Sequence, residues 1–231
     1  MRVFVGLAAL SALVLAPVAA GAATLTYSQS FPGVAADGPG GYVQTDWDGT
    51  SQSVELPQFN PSLGTLTGVQ LSLAGEINSS GVLTNNSAVT IDVDAYTASL
   101  EISVLAPGSS TPLLSVSPAL FNFGNTSVDP GSSLTFGEEV PVSASASDSV
   151  PITVFAPYVG AANLLFPLTA DTNTTFETTG GNLDFAQDTR ARATVTIAYT
   201  YDLVATDVPE PASAALLGGG LLGLGLLRRR S

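Results

Sequence analysis

Asp46-x-Asp48-Gly49 sets two carboxylates one residue apart ahead of a glycine, the opening of an oxygen-rich loop for a hard cation such as calcium. A full loop of that kind carries a bidentate glutamate at its twelfth position, and here that position is Pro57. The stretch therefore reads as an Asx turn with Gly49 in a left-handed conformation, and Asp46 and Asp48 stand as weak metal candidates. Asp92-x-Asp94 puts two carboxylates on one face of a strand, about 7 Å apart. That pair is a second weak calcium site and, more simply, a solvated strand face. Glu138-Glu139 would point to opposite faces of a strand and make a poor acid–base pair. Trp47 is a candidate for stacking on a sugar, set against the plainer reading of a core plug. The sequence leads to an expectation of no metal and no cofactor, with calcium as the one cation worth testing.

The residue types that are missing exclude more than the ones present suggest. The chain has no histidine and no cysteine. That removes disulfides, thiolate chemistry, histidine-based triads and zinc sites of the usual type. A hydrolase would have to work with carboxylates and hydroxyls alone. Between Thr24 and Asp207 lie 18 acids (all 19 except Glu210) against Arg190 and Arg192, a net charge of −16. Such a body repels phosphate backbones, so nucleic acid is not a partner. Four Asn-x-Ser/Thr triplets, beginning at Asn78, Asn85, Asn125 and Asn173, are discounted as products of a Ser/Thr/Asn-rich composition.

The elements that carry the body outward are at the ends. Residues 1–22 read as a signal peptide: Arg2, then a mostly apolar run Val3–Leu15 about 20 Å long as a helix, then the small-residue site Ala20-Gly21-Ala22. Signal peptidase is the implied partner, cutting after Ala22 or one residue later. At the other end Val208-Pro209-Glu210-Pro211 is an extended, proline-stiffened segment. Ala212–Leu227 follows without a charge, about 24 Å as a helix, and Arg228, Arg229 and Arg230 close it. By the positive-inside rule those arginines stay cytoplasmic, which puts the body outside. A transmembrane helix over 212–227 is expected even though Gly218, Gly219, Gly220, Gly223 and Gly225 weaken it, because lipid leaves the backbone no other way to satisfy itself.

Val208-Pro209-Glu210-Pro211, the Gly/Leu-rich apolar run and the arginine cluster resemble the PEP-CTERM sorting signal of exported bacterial proteins, also called the ice-binding protein C-terminal domain. The resemblance covers about the last 24 residues. It implies recognition and cutting by an exosortase, and release or re-anchoring at the cell surface, often in exopolysaccharide-producing bacteria. It implies no ice binding.

The body, residues 24–207, alternates apolar and polar residues with period 2 in several stretches. Val69, Leu71 and Leu73 form one; Val89, Ile91, Val93 and Ala95 another; Leu100, Ile102 and Val104 a third; Val195, Ile197, Tyr199, Tyr201 and Leu203 a fourth. Turn-forming clusters separate them at 60–62, 78–81, 107–110, 129–131 and 180–182. The expected fold is an all-β antiparallel β-sandwich in one domain, with an N-terminal signal helix and a C-terminal transmembrane helix. A short helical turn is expected near Val159–Leu165, a less regular region over Ser145–Thr179, and an edge strand or linker at Val142–Val150. Thr45–Thr50 and Leu56–Leu66 resemble the opening of the choice-of-anchor E domain, and Ala193–Tyr201 is similar to its end. That family appears with varied surface-anchoring tails. Phe59 and Leu63 are expected to cap the sheet core. The leading function is an exported surface or matrix protein without catalysis. A calcium- or carbohydrate-binding adhesion module and a carboxylate-dependent hydrolase are the alternatives.

Overall fold

The structure is a computed structural model, and it describes residues 21–33 and 41–204. The strands, in chain order, are β1 (Ala22–Phe31), β2 (Val43–Gln44), β3 (Trp47–Pro57), β4 (Gly64–Asn85), β5 (Ile91–Leu105), β6 (Pro112–Val116), β7 (Ala119–Phe123), β8 (Thr126–Val128), β9 (Ser133–Ser149), β10 (Asn163–Thr178) and β11 (Leu183–Leu203). Single 3₁₀ turns occur at Pro61–Leu63, Ile152–Val154 and Ala156–Tyr158.

The strands make two sheets, the expected antiparallel sandwich. One runs β1-β11-β4-β9 with β2 also on β11; the other runs β3-β10-β5-β6 with β7 and β8 also on β5. The period-2 pattern is the cause. Leu71, Leu73, Val195 and Ile197 turn inward from the first sheet, and Ile102, Val104, Phe166 and Leu168 from the second; all are buried. Each fully buried side chain of this size contributes about 1.5–3 kcal/mol from loss of water contact. Trp47 is a core plug, 2% exposed, its Nε1 donating to Gln44 O at 2.7 Å and its ring edge-on to Phe31.

A second, smaller core lies farther along the sandwich, built by Leu83, Val93, Tyr96, Ala98, Val128 and Phe136. A polar layer runs between the two. Ser79 and Thr189 share a buried hydroxyl–hydroxyl bond of 2.8 Å, Gln187 Nε2 donates to Thr189 Oγ1 at 2.8 Å, and Tyr96 OH donates to Gln187 Oε1 at 2.9 Å. Burial of Tyr96 pushes its phenol up to about 12, so it stays a donor across the physiological range.

Five expectations change. Asn78-Ser79-Ser80-Gly81 is no turn; it lies inside β4, which runs 22 residues unbroken. Its residues are small because the space is filled from elsewhere: a Cβ on Gly81 would come within 2.2 Å of the Phe136 ring. The helical turn expected at Val159–Leu165 sits earlier, at Ile152–Val154 and Ala156–Tyr158, and Asn163 already begins β10. Most of the region 145–179 expected to be less regular is therefore strand. Val89 is exposed, in the turn before β5, whereas Ile91 and Val93 are buried. That turn is held by Asn85, fully buried, whose Nδ2 donates to Val89 O and Val128 O, both at 2.8 Å. Of the two residues expected to cap the core, Phe59 does so, packed on Tyr199 and Tyr201, while Leu63 is 39% exposed. The Ser-rich run of residues 142–150 forms most of the end of β9, an edge strand.

Candidate functional site

The sorting residues Val208, Pro209, Glu210 and Pro211, the arginines Arg228–Arg230 and Ala20 lie outside the described residues. The segments leading to them do not. β1 begins at Ala22 and pairs antiparallel with β11, Ala22 opposite Asp202 and Ala23 opposite Tyr201. Leu203, the last residue of β11, pairs on its other side with Gly64, the first of β4. The N-terminal and C-terminal connections thus leave the sandwich side by side, at one pole. Gly64 makes this pole possible: a Cβ there would come within 2.0 Å of Asp202 O. Beside it Asn60 Oδ1 accepts from Ser62 N at 3.0 Å, which closes the proline turn leading into β4. Among the described residues no helix is long and apolar enough to cross a membrane, and the expected span 212–227 lies beyond them.

The acidic candidates are kept apart. Asp48 Oδ1 accepts from Thr50 N at 2.8 Å, with Gly49 at φ +77°, the Asx turn expected there. Asp46, at φ +70°, belongs to the preceding turn. Asp92 and Asp94 lie on the solvent face of β5, and Asp92 Oδ1 accepts from Ser127 Oγ. Among the described residues no three acidic, histidine or cysteine side chains gather as a metal would need. The side chains of Glu138 and Glu139 are not among those described; both residues lie in β9.

One charged cluster was not visible in the chain order. β4 and β11 bring Glu76 opposite Arg192, and Tyr42 folds over both. Arg192 donates to Glu76 Oε2 at 2.6 Å, Tyr42 OH donates to the same oxygen at 2.9 Å, and the guanidinium lies 5.4 Å from the centre of the Tyr42 ring. The bond from Arg192 holds the Glu76 carboxyl below its ordinary 4.5, against the opposing effect of burial and with help from Tyr42. Burial, and then the bond to Glu76, raises the Tyr42 phenol. The ion pair is about one-third exposed on both sides, so solvent screening limits it to about 0–1 kcal/mol. Because the folded value is lowered, this stability is whole above 4.5 and is lost as the pH falls below it through the folded value. Glu76→Gln is therefore expected to lower Tm by no more than about 4 °C at pH 7. The gap between variant and parent should narrow as melts are taken at pH values progressively below 4.5; a gap that does not change with pH would deny the pair its role.

The described body is thus an antiparallel β-sandwich with both chain connections at one pole. The chain carries the PEP-CTERM protein-sorting motif: residues 207–230 match the family model of that description. No curated protein matches the chain. Among solved structures, infectious bursal disease virus (Gx strain) is similar at 11% identity, over 85% of this chain and 42% of that one, with a TM-score of 0.25. The VP2 subviral particle of the same virus is similar at 12% identity, over 84% and 43%, with a TM-score of 0.25. The parasporin-2 toxin of Bacillus thuringiensis is similar at 14% identity, over 80% and 71%, with a TM-score of 0.10. The chain spans about two-fifths of the length of the viral proteins it matches, and at these TM-scores the likenesses carry no functional argument.

Proposed function

We propose that the chain is an exported bacterial surface or matrix protein, cut by an exosortase within Val208–Pro211, whose folded body has no catalytic activity of its own. The observation that carries this reading is the sorting motif at 207–230. In it, the signal peptide takes the body across the inner membrane and is cut near Ala22. The run 212–227 halts in the bilayer, and Arg228–Arg230 hold the cytoplasmic side. The 16 uncharged residues make a helix of about 24 Å, short of a ~30 Å hydrocarbon layer, so the arginine stems must snorkel to reach the interface. A shallow, glycine-weakened anchor suits a segment that is handed to an enzyme and discarded.

The shared pole supports the same reading. With Ala22 opposite Asp202, a folded body can rest on the outer face of the membrane while both of its ends run toward the lipid. Val208 is four residues past Val204, a reach of at most about 14 Å, so the handle stays near the bilayer where a membrane-embedded enzyme works. The likeness of residues 45–50 and 56–66 to choice-of-anchor E domains fits a body that serves with exchangeable anchors.

The test is fractionation of the host with and without its exosortase. In the intact strain the chain should leave the inner membrane as a shortened form. In the deletion strain it should accumulate there as a longer precursor. The same size and the same partition in both strains would end the proposal.

A further inference from the structure

The pole from which both connections leave is also where the sandwich turns aliphatic side chains to solvent. Phe59 N donates to Tyr158 O at 2.8 Å and Gly160 N to Phe59 O at 3.0 Å, which ties the turn Ala156–Tyr158 to the residue before Asn60. Asn60 in turn caps the turn Pro61–Leu63. Val150 N donates to Val69 O at 2.9 Å, and Ile152 then shares a shallow depression with Thr67, Gly68 and Thr200. Three residues past Thr200, Leu203 pairs with Gly64, directly after Leu63. Of the ten exposed large apolar side chains among the described residues, five stand at this pole: Leu63, Ile152, Val154, Leu203 and Val204. An apolar cavity of about 320 Å³, lined by Leu71 and Val154 and by Leu113 and Leu114 of β6, extends the face to the second sheet. Aliphatic exposure gathered at one place marks a surface that contacts protein or membrane.

The connections and the charges decide between the two. Ala212 is eight residues past Val204, a reach of at most about 29 Å, so a body anchored through 212–227 keeps this face within that distance of the bilayer. A second copy seated pole to pole would lie in the path of both chains' connections. The face offers no cation: Arg190 and Arg192, the two among the described residues, pair with Asp188 and Glu76. Arg192 is ten residues before Asp202, about 33 Å along β11. Asp148 and Asp202 are exposed beside the face and oppose anionic headgroups, which leaves apolar contact as the attraction. We propose that this pole is a lipid-contact face, with Leu63, Ile152, Val154, Leu203 and Val204 seated in the outer interface of the bilayer. The body then stands on the membrane in a fixed orientation and keeps the segment 208–211 at the interface. This rests on the membrane anchor of the sorting proposal and adds to it a contact made by the folded body.

The chain has no cysteine, so a single introduced thiol takes one dye. Full-length chains labelled at Ile152→Cys, Val89→Cys or Leu221→Cys are reconstituted in phosphatidylcholine–phosphatidylethanolamine vesicles whose acyl chains carry a nitroxide quencher. Val89 is 63% exposed at the opposite end, ahead of β5, and Leu221 lies in the apolar run. Quenching at Ile152 should be at least about threefold stronger than at Val89, and should persist in high salt. A dye at Leu63→Cys should also be quenched. Adding Ile152→Ser and Val154→Ser to that chain should weaken its quenching at least about threefold at an unchanged Tm, since both side chains face solvent in the free body. Quenching at Leu221 with none at Ile152 overturns the lipid-contact face and leaves the anchor standing. No quenching at Leu221 removes the anchor and this inference together. Quenching at Leu63 that ignores both serines, or that vanishes in high salt, also overturns the proposal. Energy transfer between Ile152 dyes on two chains, without lipid quenching, would give the face to a second copy instead.

Discussion

Replacing Tyr199 by alanine is expected to cost about 3–5 kcal/mol, the range for removing a large buried aromatic side chain. In a chain of this size that is a fall in Tm of roughly 10 °C or more. Tyr199 is fully buried at the centre of the larger core. From β11 its hydroxyl donates to Pro57 O, at the end of β3 in the opposite sheet, at 2.9 Å. Its ring packs against Phe59 at 5.8 Å and Tyr27 at 6.3 Å. The side chain therefore ties β1, β3, β11 and the proline turn together, close to the pole from which both ends of the chain depart. Tyr199→Phe separates its two roles. The ring stays and Pro57 O loses its donor, so the cost should drop to about 1–3 kcal/mol. Thermal melts of the two variants beside the parent decide the matter, and equal melting of all three would remove Tyr199 from this position. Alkaline titration gives an independent reading. Burial raises the Tyr199 phenol well above its ordinary 10. Stability from keeping it neutral is whole below pH 10 and is lost as the pH climbs through the folded value.

Alanine at Pro209, Glu210 and Pro211 together should abolish tail removal, at least tenfold by pulse-chase, without changing the melt of the body. The prolines fix their own φ near −65° and push the preceding residues into extended geometry, the shape a cutting enzyme binds. Alanine relaxes that shape and erases the one acid of the handle. The uncut chain should stay in the membrane fraction, the behaviour expected of the parent in a strain lacking the exosortase. Lysine at Arg228, Arg229 and Arg230 keeps the positive charge and should leave cutting unchanged. Normal cutting of the triple-alanine chain would show that the handle is read elsewhere.

Much of the architecture was legible as alternation. Residues 69–73, 100–104 and 195–199 each send every second side chain into the core, as their spacing foretells. What stayed hidden depended on distant parts of the chain. Asn78-Ser79-Ser80-Gly81 has the composition of a turn, yet it is strand because Phe136, more than fifty residues later, fills the room its small side chains leave. Trp47, weighed as a sugar-stacking residue against the plainer reading of a core plug, is the core plug. The exposed rings are Phe176 and Phe185, whose accessibility follows from where β3 and β1 happen to end. Ion pairing of Glu76 with Arg192 likewise needed the β4–β11 register. The sorting handle was readable without any fold, since its three parts are consecutive.

The most direct measurement is the intact mass of the chain recovered from the cell exterior. Cutting at both ends predicts one species that begins at Ala23 or Thr24 and ends within Val208–Pro211. A species running unbroken from Met1 to Ser231, or one found only in the cytosol, would contradict the account.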